Sequence, residues 1–352
     1  LSEIAHRLAG TTKGWFLEFR LIPVLLWSYT SVALGTAMAF AERRVFDPGF
    51  LAVAMGLAAL IQGWVTHAVN EIYDWRSGTD RHGRLRALSG GSKVRNLGLL
   101  DERGLWIVFA ASTASVVVLA GYVATARAAW LVLLIGAGYF LGVAYTAPPF
   151  ATAYRPFVGE GLGAFPGVLL AGLGAYAIQT LDLSWTALAV LSAHAFICTA
   201  MLVMHHYVDA PSDAEAIPPK KTTVVFLGTR RARGYATALA AAGAFVYGGL
   251  ALFLDPVFAL GTFFTLPAIA AHARVMPENL LSVTRQELRV IQLGIAAGLS
   301  VSVALAPALW LLLPLAAAGY FAHLVVAAPP ASLARAWRSV PRSPPSENGP
   351  PP

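Results

Sequence analysis

Charge is scarce in this 352-residue chain. Asp, Glu, Lys and Arg make up 12% of it against 57% hydrophobic residues, about half the charged share of an ordinary soluble domain. That scarcity excludes a set of soluble domains. A single cysteine, Cys198, excludes a disulfide framework and a thiolate metal cluster. No basic run is interleaved with aromatics, so the net charge of +7 is not a nucleic-acid footprint. Residues 1–14 carry Glu3, His6, Arg7 and Lys13 and lack an apolar core, which argues against a cleavable signal peptide.

Apolar runs take up the remainder. A bilayer core of roughly 30 Å needs about 20 apolar residues per helix. Runs of that kind fall at 15–41, 50–73, 105–125, 129–147, 157–179, 185–207, 233–254, 256–274, 287–305 and 307–327. The expected fold class is all-α: a polytopic transmembrane bundle of nine to ten spans around a central cavity open to the cytoplasmic side. Glycines such as Gly161, Gly163, Gly167 and Gly172 let helices approach closely. Residues 1–14 are expected as a cytoplasmic segment lying on the inner surface, 15–327 as one membrane domain, and 328–352, rich in Pro, Ser and Arg, as a disordered tail.

Lys and Arg accumulate in short cytoplasmic loops. With the N-terminus inside, those loops receive Arg76, Arg81, Arg84, Arg86, Lys93, Arg95 and Arg103, then Arg155, then Lys220, Lys221, Arg230, Arg231 and Arg233. Arg43, Arg44 and Arg127 fall outside. The bias implies a multi-pass protein of the cell membrane with both of its acidic clusters on the cytoplasmic face.

Those clusters are the chemistry-bearing motifs. In the first, Asn70 and Asp74 share a helix face, and Gly78 stops the helix so that Asp80 swings into the loop. In the second, His205 and Asp209 share a face and Asp213 follows one turn later unless Pro211 bends the helix. Each motif closes an even-numbered span ahead of a basic loop, four spans apart, so two equivalent helix ends are expected to face one another as a ring of oxygen ligands. Hard oxygen donors suit magnesium, which is usually held by one or two carboxylates plus substrate phosphates. Imidazole from His205 and His206 favours zinc or iron, but the acidic surroundings favour magnesium. A structural, hydrogen-bonded role for the two histidines stands beside a functional one, and His67 and His194 are read as packing residues.

The spacing Asn70, Asp74, Gly78, Asp80 resembles the UbiA-type intramembrane prenyltransferases, and within them the branch acting on 1,4-dihydroxy-2-naphthoate for menaquinone. The loop Leu88-Ser89-Gly90-Gly91-Ser92-Lys93-Val94, the stretch Tyr145-Thr146-Ala147-Pro148-Pro149-Phe150, Val158-Gly159-Glu160 and Lys220-Lys221-Thr222 are also similar to that branch. Three departures stand out: His205 and His206 where the branch has two Asn, Ala214 where it has Arg, and Ile217-Pro218-Pro219 as an insertion.

The resemblance implies magnesium-dependent transfer of a polyprenyl group from its diphosphate to an aromatic acceptor, in contact with membrane lipids. Asn70, Asp74, Asp80, Asp209 and Asp213 would hold magnesium. Arg86, Lys93, Lys220, Lys221, His205 and His206 would bind substrate, Tyr145 or Phe150 would face an allylic cation, and Glu160 or another carboxylate would take a proton. A cyclase of the same fold acting without an acceptor, and a non-enzymatic transporter or lipid-binding protein, are the alternatives.

Overall fold

The computed structural model describes residues 2–81 and 91–327. Arg84, Arg86, Leu88–Gly90 and the segment 328–352 lie outside the described residues. Within them all regular structure is helical.

The first span is not one rod. Helix α1 (Ser2–Phe19) ends at Arg20, whose φ of 49° is left-handed, and α2 (Leu21–Val24) restarts the chain. A continuous helix would drive the Pro23 ring into the carbonyl of Phe19, so the break falls where Pro23 sits in a first turn instead. Residues 2–14 belong to the same helix as the start of this span, not to a separate surface helix. A π-helical stretch, Leu25–Tyr29, then leads into α3 (Thr30–Arg43).

The second span holds α4 (Pro48–Ala58), a π-helical stretch Ala59–Thr66, and α5 (His67–Ser77). Asp47 caps its start, with Oδ1 accepting from the Gly49 and Phe50 amides at 2.7 and 3.1 Å. Gly78, at φ 92°, ends it. There follow α6 (Glu102–Ala126), α7 (Leu131–Ala144), a π-helical stretch Gly159–Ala164, α8 (Phe165–Thr180) and α9 (Trp185–His205). The short helices α10 (Ala210–Glu215) and α11 (Thr223–Leu227) lie in the following loop. Four more complete the bundle: α12 (Thr229–Phe253), α13 (Ala259–Arg274), α14 (Leu280–Leu305) and α15 (Leu312–Ala327).

Nine helical stretches among the described residues are long and apolar enough to cross a membrane, and α7 is a shorter apolar helix. At 14 residues it spans about 21 Å, so of ten expected spans this one falls short. Outward side chains such as Phe253, Trp185 and Phe245 are 90%, 86% and 82% exposed. A patch of that kind belongs in lipid, not water. Inside, α3 meets α8 where Gly35 faces the backbone of Gly172; a Cβ on Gly35 would collide with the Gly172 carbonyl oxygen. Such backbone approach is how membrane helices gain dispersion energy without a hydrophobic driving force.

Candidate active site

The ends of the second and sixth spans, read from the sequence as equivalent, open onto one cavity. Its mouth is lined by Asn70, Asp74, Asp80, Asp209, Asp213, Lys220, His205, His206, Tyr145, Arg20 and Glu287, and its depth by apolar walls from α3, α4, α7 and α8. The three π-helical stretches all reach it, through Trp27 and Ser28, through Ile61, Gln62 and Thr66, and through Gly163 and Ala164. An inserted residue turns a helix face locally, which is why π-bulges recur at functional sites.

Asp74 is the hub of the mouth. Its Oδ2 accepts from Lys220 Nζ at 2.6 Å and from Asn70 Nδ2 at 2.9 Å, and its Oδ1 from the Tyr154 hydroxyl at 2.7 Å. Lys220 arrives there because the 216–222 loop folds back: its amide donates to the Asp213 carbonyl at 2.8 Å, and the Ile217 amide to the Ser77 carbonyl at 2.8 Å. Burial alone would lower the Lys220 ammonium, but Asp74 and Asp213 outweigh it and hold its pKa well above the usual value. Burial pushes the carboxyls of Asp80 and Asp213 well above the ordinary carboxylate range, with Glu71 and Asp74 adding to the first, and Asp209 and Asp74 adding to the second against Lys220. It pushes the Tyr145 and Tyr154 phenols up and the His206 imidazole down.

The remaining candidates fall in different places. His205 lines the mouth with Nδ1 2.6 Å from Glu287 Oε1 of α14, and its Nε2 lies 3.5 Å from Arg20 Nη2. Lys93 is buried with a left-handed backbone, φ 65°, and stands off the cavity wall; its Nζ has no hydrogen-bond partner among the described residues. Lys221 points outward and is exposed. Glu160 is buried behind the wall beside Thr223, while Gly163 and Ala164 of the same π-helical stretch form the lining. Phe150 is exposed and packs on Phe140, away from the cavity. Arg86 lies outside the described residues.

The UbiA prenyltransferase family matches residues 28–280. The chain belongs to this family. Over 223 residues, 62% of this chain and 67% of the relative, it is 28% identical to a 1,4-dihydroxy-2-naphthoate octaprenyltransferase of Bacillus subtilis (strain 168). A UbiA homologue from Archaeoglobus fulgidus, bound to GPP and Mg2+, superposes with a TM-score of 0.60 at 18% identity, covering 82% of this chain and 99% of its own. An apo UbiA homologue from Aeropyrum pernix K1 superposes at 0.58 and 15% identity, covering 81% and 98%. These structural likenesses concern the fold, while the family membership makes the chain a prenyltransferase.

In this UbiA prenyltransferase the expected ring of oxygen ligands is not closed. Among the described residues no three His, Cys, Asp or Glu side chains gather closely enough to hold a metal alone. Lys220 already occupies Asp74. The donor set nevertheless fits a hard cation, because Asp80 Oδ2 and both carboxylate oxygens of Asp213 are buried without a hydrogen-bond partner among the described residues, and magnesium takes part of its shell from substrate phosphates.

Four residues of the site went unread in the sequence. Arg20 and Glu287 sit inside apolar spans, where an ionisable residue is itself a signal. Glu71 lies within the first motif, and its Oε2 accepts the Ser92 amide at 2.8 Å. Tyr154 follows the Tyr145–Phe150 loop, and nothing local marks it.

Proposed function

We propose that this prenyltransferase transfers a polyprenyl group from its diphosphate to an aromatic acceptor of the 1,4-dihydroxy-2-naphthoate type, releasing diphosphate with magnesium, at the cytoplasmic face of the cell membrane. One observation carries the reading: two acidic motifs far apart in sequence line one mouth with a buried lysine between them, above an apolar chamber. The naphthoate class is supported by the Bacillus subtilis relative and by the Tyr145–Phe150 loop. The cytoplasmic side is supported by the distribution of Lys and Arg.

Asp74, Asp80, Asp209 and Asp213, with Asn70, would hold magnesium, which when bound stabilises the charge building on the departing diphosphate. Lys220 and Arg20 present cations to phosphate oxygens, as charge-assisted donors do. Tyr145 offers a ring face on the wall, and cation–π attraction contributes about 0.5–2 kcal/mol toward an allylic cation. The apolar walls keep water from trapping that cation. For the proton that leaves the acceptor ring, Asp209 and Asp213 are on the wall and Glu160 is not.

The test incubates membranes containing the protein with magnesium, a labelled polyprenyl diphosphate and a panel of aromatic acids, and identifies the product by mass. Asp74→Asn and Asp209→Asn should each leave a folded membrane protein that releases no diphosphate. Undiminished turnover in either variant would remove the mechanism, and a product formed without acceptor would make the enzyme a cyclase.

A further inference from the structure

Outside the cavity, the mouth-side end of α5 and the start of α6 gather guanidinium groups. Arg76 and Arg95 both donate to the Glu102 carboxylate, Arg95 Nη1 at 3.4 Å from Oε2. Arg95 also lies 4.6 Å from the centroid of the Trp75 ring, and Arg81 approaches the same ring at 5.9 Å. Arg76 stands 5.5 Å from the Tyr73 centroid. None of these side chains lines the cavity that holds Asp74 and Lys220.

The aromatic faces hold the guanidinium groups in place, yet a ring quadrupole does not neutralise a charge. Among the described residues Glu102 is the one carboxylate that pairs with the three arginines, and exposed Arg81 pairs with none. The corner is therefore positive, and an anion there would relieve the repulsion. Guanidinium forks match phosphate oxygens in geometry as well as charge.

The surroundings say which phosphate. Both helices are long and apolar enough to cross a membrane, and Trp75 and Trp106 stand near their mouth-side ends, where interfacial aromatic belts form. From there α6 turns Ile107, Val117 and Val118 outward. Between them Ala110, Ala111 and Ala114 are exposed on the same face, leaving a shallow trough. From Ile107 to Val118 the helix rises about 16 Å, close to the depth of one leaflet in a bilayer core of roughly 30 Å. A soluble phosphate or an acidic peptide would use the cations and leave the trough bare. A zwitterionic lipid would add its own cation to a corner already positive.

We propose that this corner binds an anionic glycerophospholipid, with its phosphodiester against Arg76, Arg81 and Arg95 and an acyl chain along the outer face of α6. Basic clusters at the ends of membrane helices attract such lipids. The bound lipid ties the end of α5, which carries Asn70 and Asp74, to the start of α6 and to the loop bearing Arg95. It thereby braces the mouth from outside without touching the reacting groups.

The test uses the purified full chain in detergent and reads binding, not turnover. Dioleoylphosphatidylglycerol and dioleoylphosphatidylcholine are titrated separately, with retained lipid counted by native mass spectrometry and thermal unfolding followed in parallel. The anionic lipid should bind about tenfold or more tightly than the zwitterionic one and raise the unfolding midpoint. Arg81→Gln combined with Arg95→Gln should bring its affinity down to that of the zwitterionic lipid. Arg81→Gln alone, which breaks no ion pair, should lose part of the preference and guards against a misfolded double variant. Arg230→Gln combined with Arg231→Gln removes the same charge from the exposed start of α12 and should leave the preference intact. Equal affinity for the two lipids in the wild type would overturn the proposal. An equal loss in the two double variants would also overturn it, by reducing the effect to net charge. So would equal binding of glycerophosphoglycerol, the headgroup without chains, because the trough on α6 would then contribute nothing.

Discussion

Lys220 and Lys221 are adjacent and chemically identical, yet one is buried on Asp74 and the other exposed. The sequence offers no reason to choose between them, because the choice is made by the Lys220 amide bonding the Asp213 carbonyl. Lys220→Met should raise the KM for the prenyl donor ten- to a hundredfold, the loss of a charged hydrogen bond being about 1.5–3 kcal/mol, while the acceptor KM stays put. Steady-state kinetics with each substrate varied decides it, and the same substitution at Lys221 serves as the control. Burial raises the Asp80 and Asp213 carboxyls, so protons compete for these oxygens above the ordinary carboxyl pKa of about 4. Magnesium-dependent donor binding should be complete at alkaline pH and fall as pH drops through the raised values. A midpoint at the ordinary carboxyl range, in a titration at fixed magnesium, would contradict that assignment. Aspartates spaced along a helix end are legible from sequence. Their company is not: Tyr154 and Glu287 come from elements brought near only by folding.

Hydropathy finds helices well and their interruptions poorly. The spans expected at 256–274 and 307–327 coincide with Pro256–Arg274 and Pro307–Ala327, and the third, sixth and seventh lie within a few residues of their observed limits. Invisible in the pattern are the break at Arg20 and the π-helical stretches, since an inserted residue changes which face an apolar helix presents without changing its composition. They matter because they carry Arg20, Gln62 and Gly163 to the cavity. The α3–α8 contact is the element most sensitive to substitution. Gly35→Val would thrust a branched side chain into the Gly172 carbonyl, at a cost of about 1–3 kcal/mol or more. Thermal unfolding in detergent should show a lowered midpoint. Gly161→Val, where a Cβ meets nothing, should unfold like the wild type.

For the molecule as a whole, the uneven placement of Lys and Arg predicts its sidedness in the membrane. Cys198 is fully buried, so Lys221→Cys creates a single accessible thiol. A membrane-impermeant thiol reagent should label it in inverted membrane vesicles and not in intact cells; the reverse pattern would turn the protein over. The pairing of Lys220 with Asp74 has a consequence for how ligands arrive. In the empty mouth these two side chains neutralise one another, so Asp74 is not bare to a divalent metal and Lys220 is not free for a phosphorylated lipid. Occupancy becomes an exchange of partners: the ammonium leaves carboxylate for phosphate as the carboxylate accepts metal. Magnesium and prenyl diphosphate should therefore each bind weakly alone and strongly together, a positive coupling that calorimetric titration of one in the presence of the other would measure and that Lys220→Met should abolish.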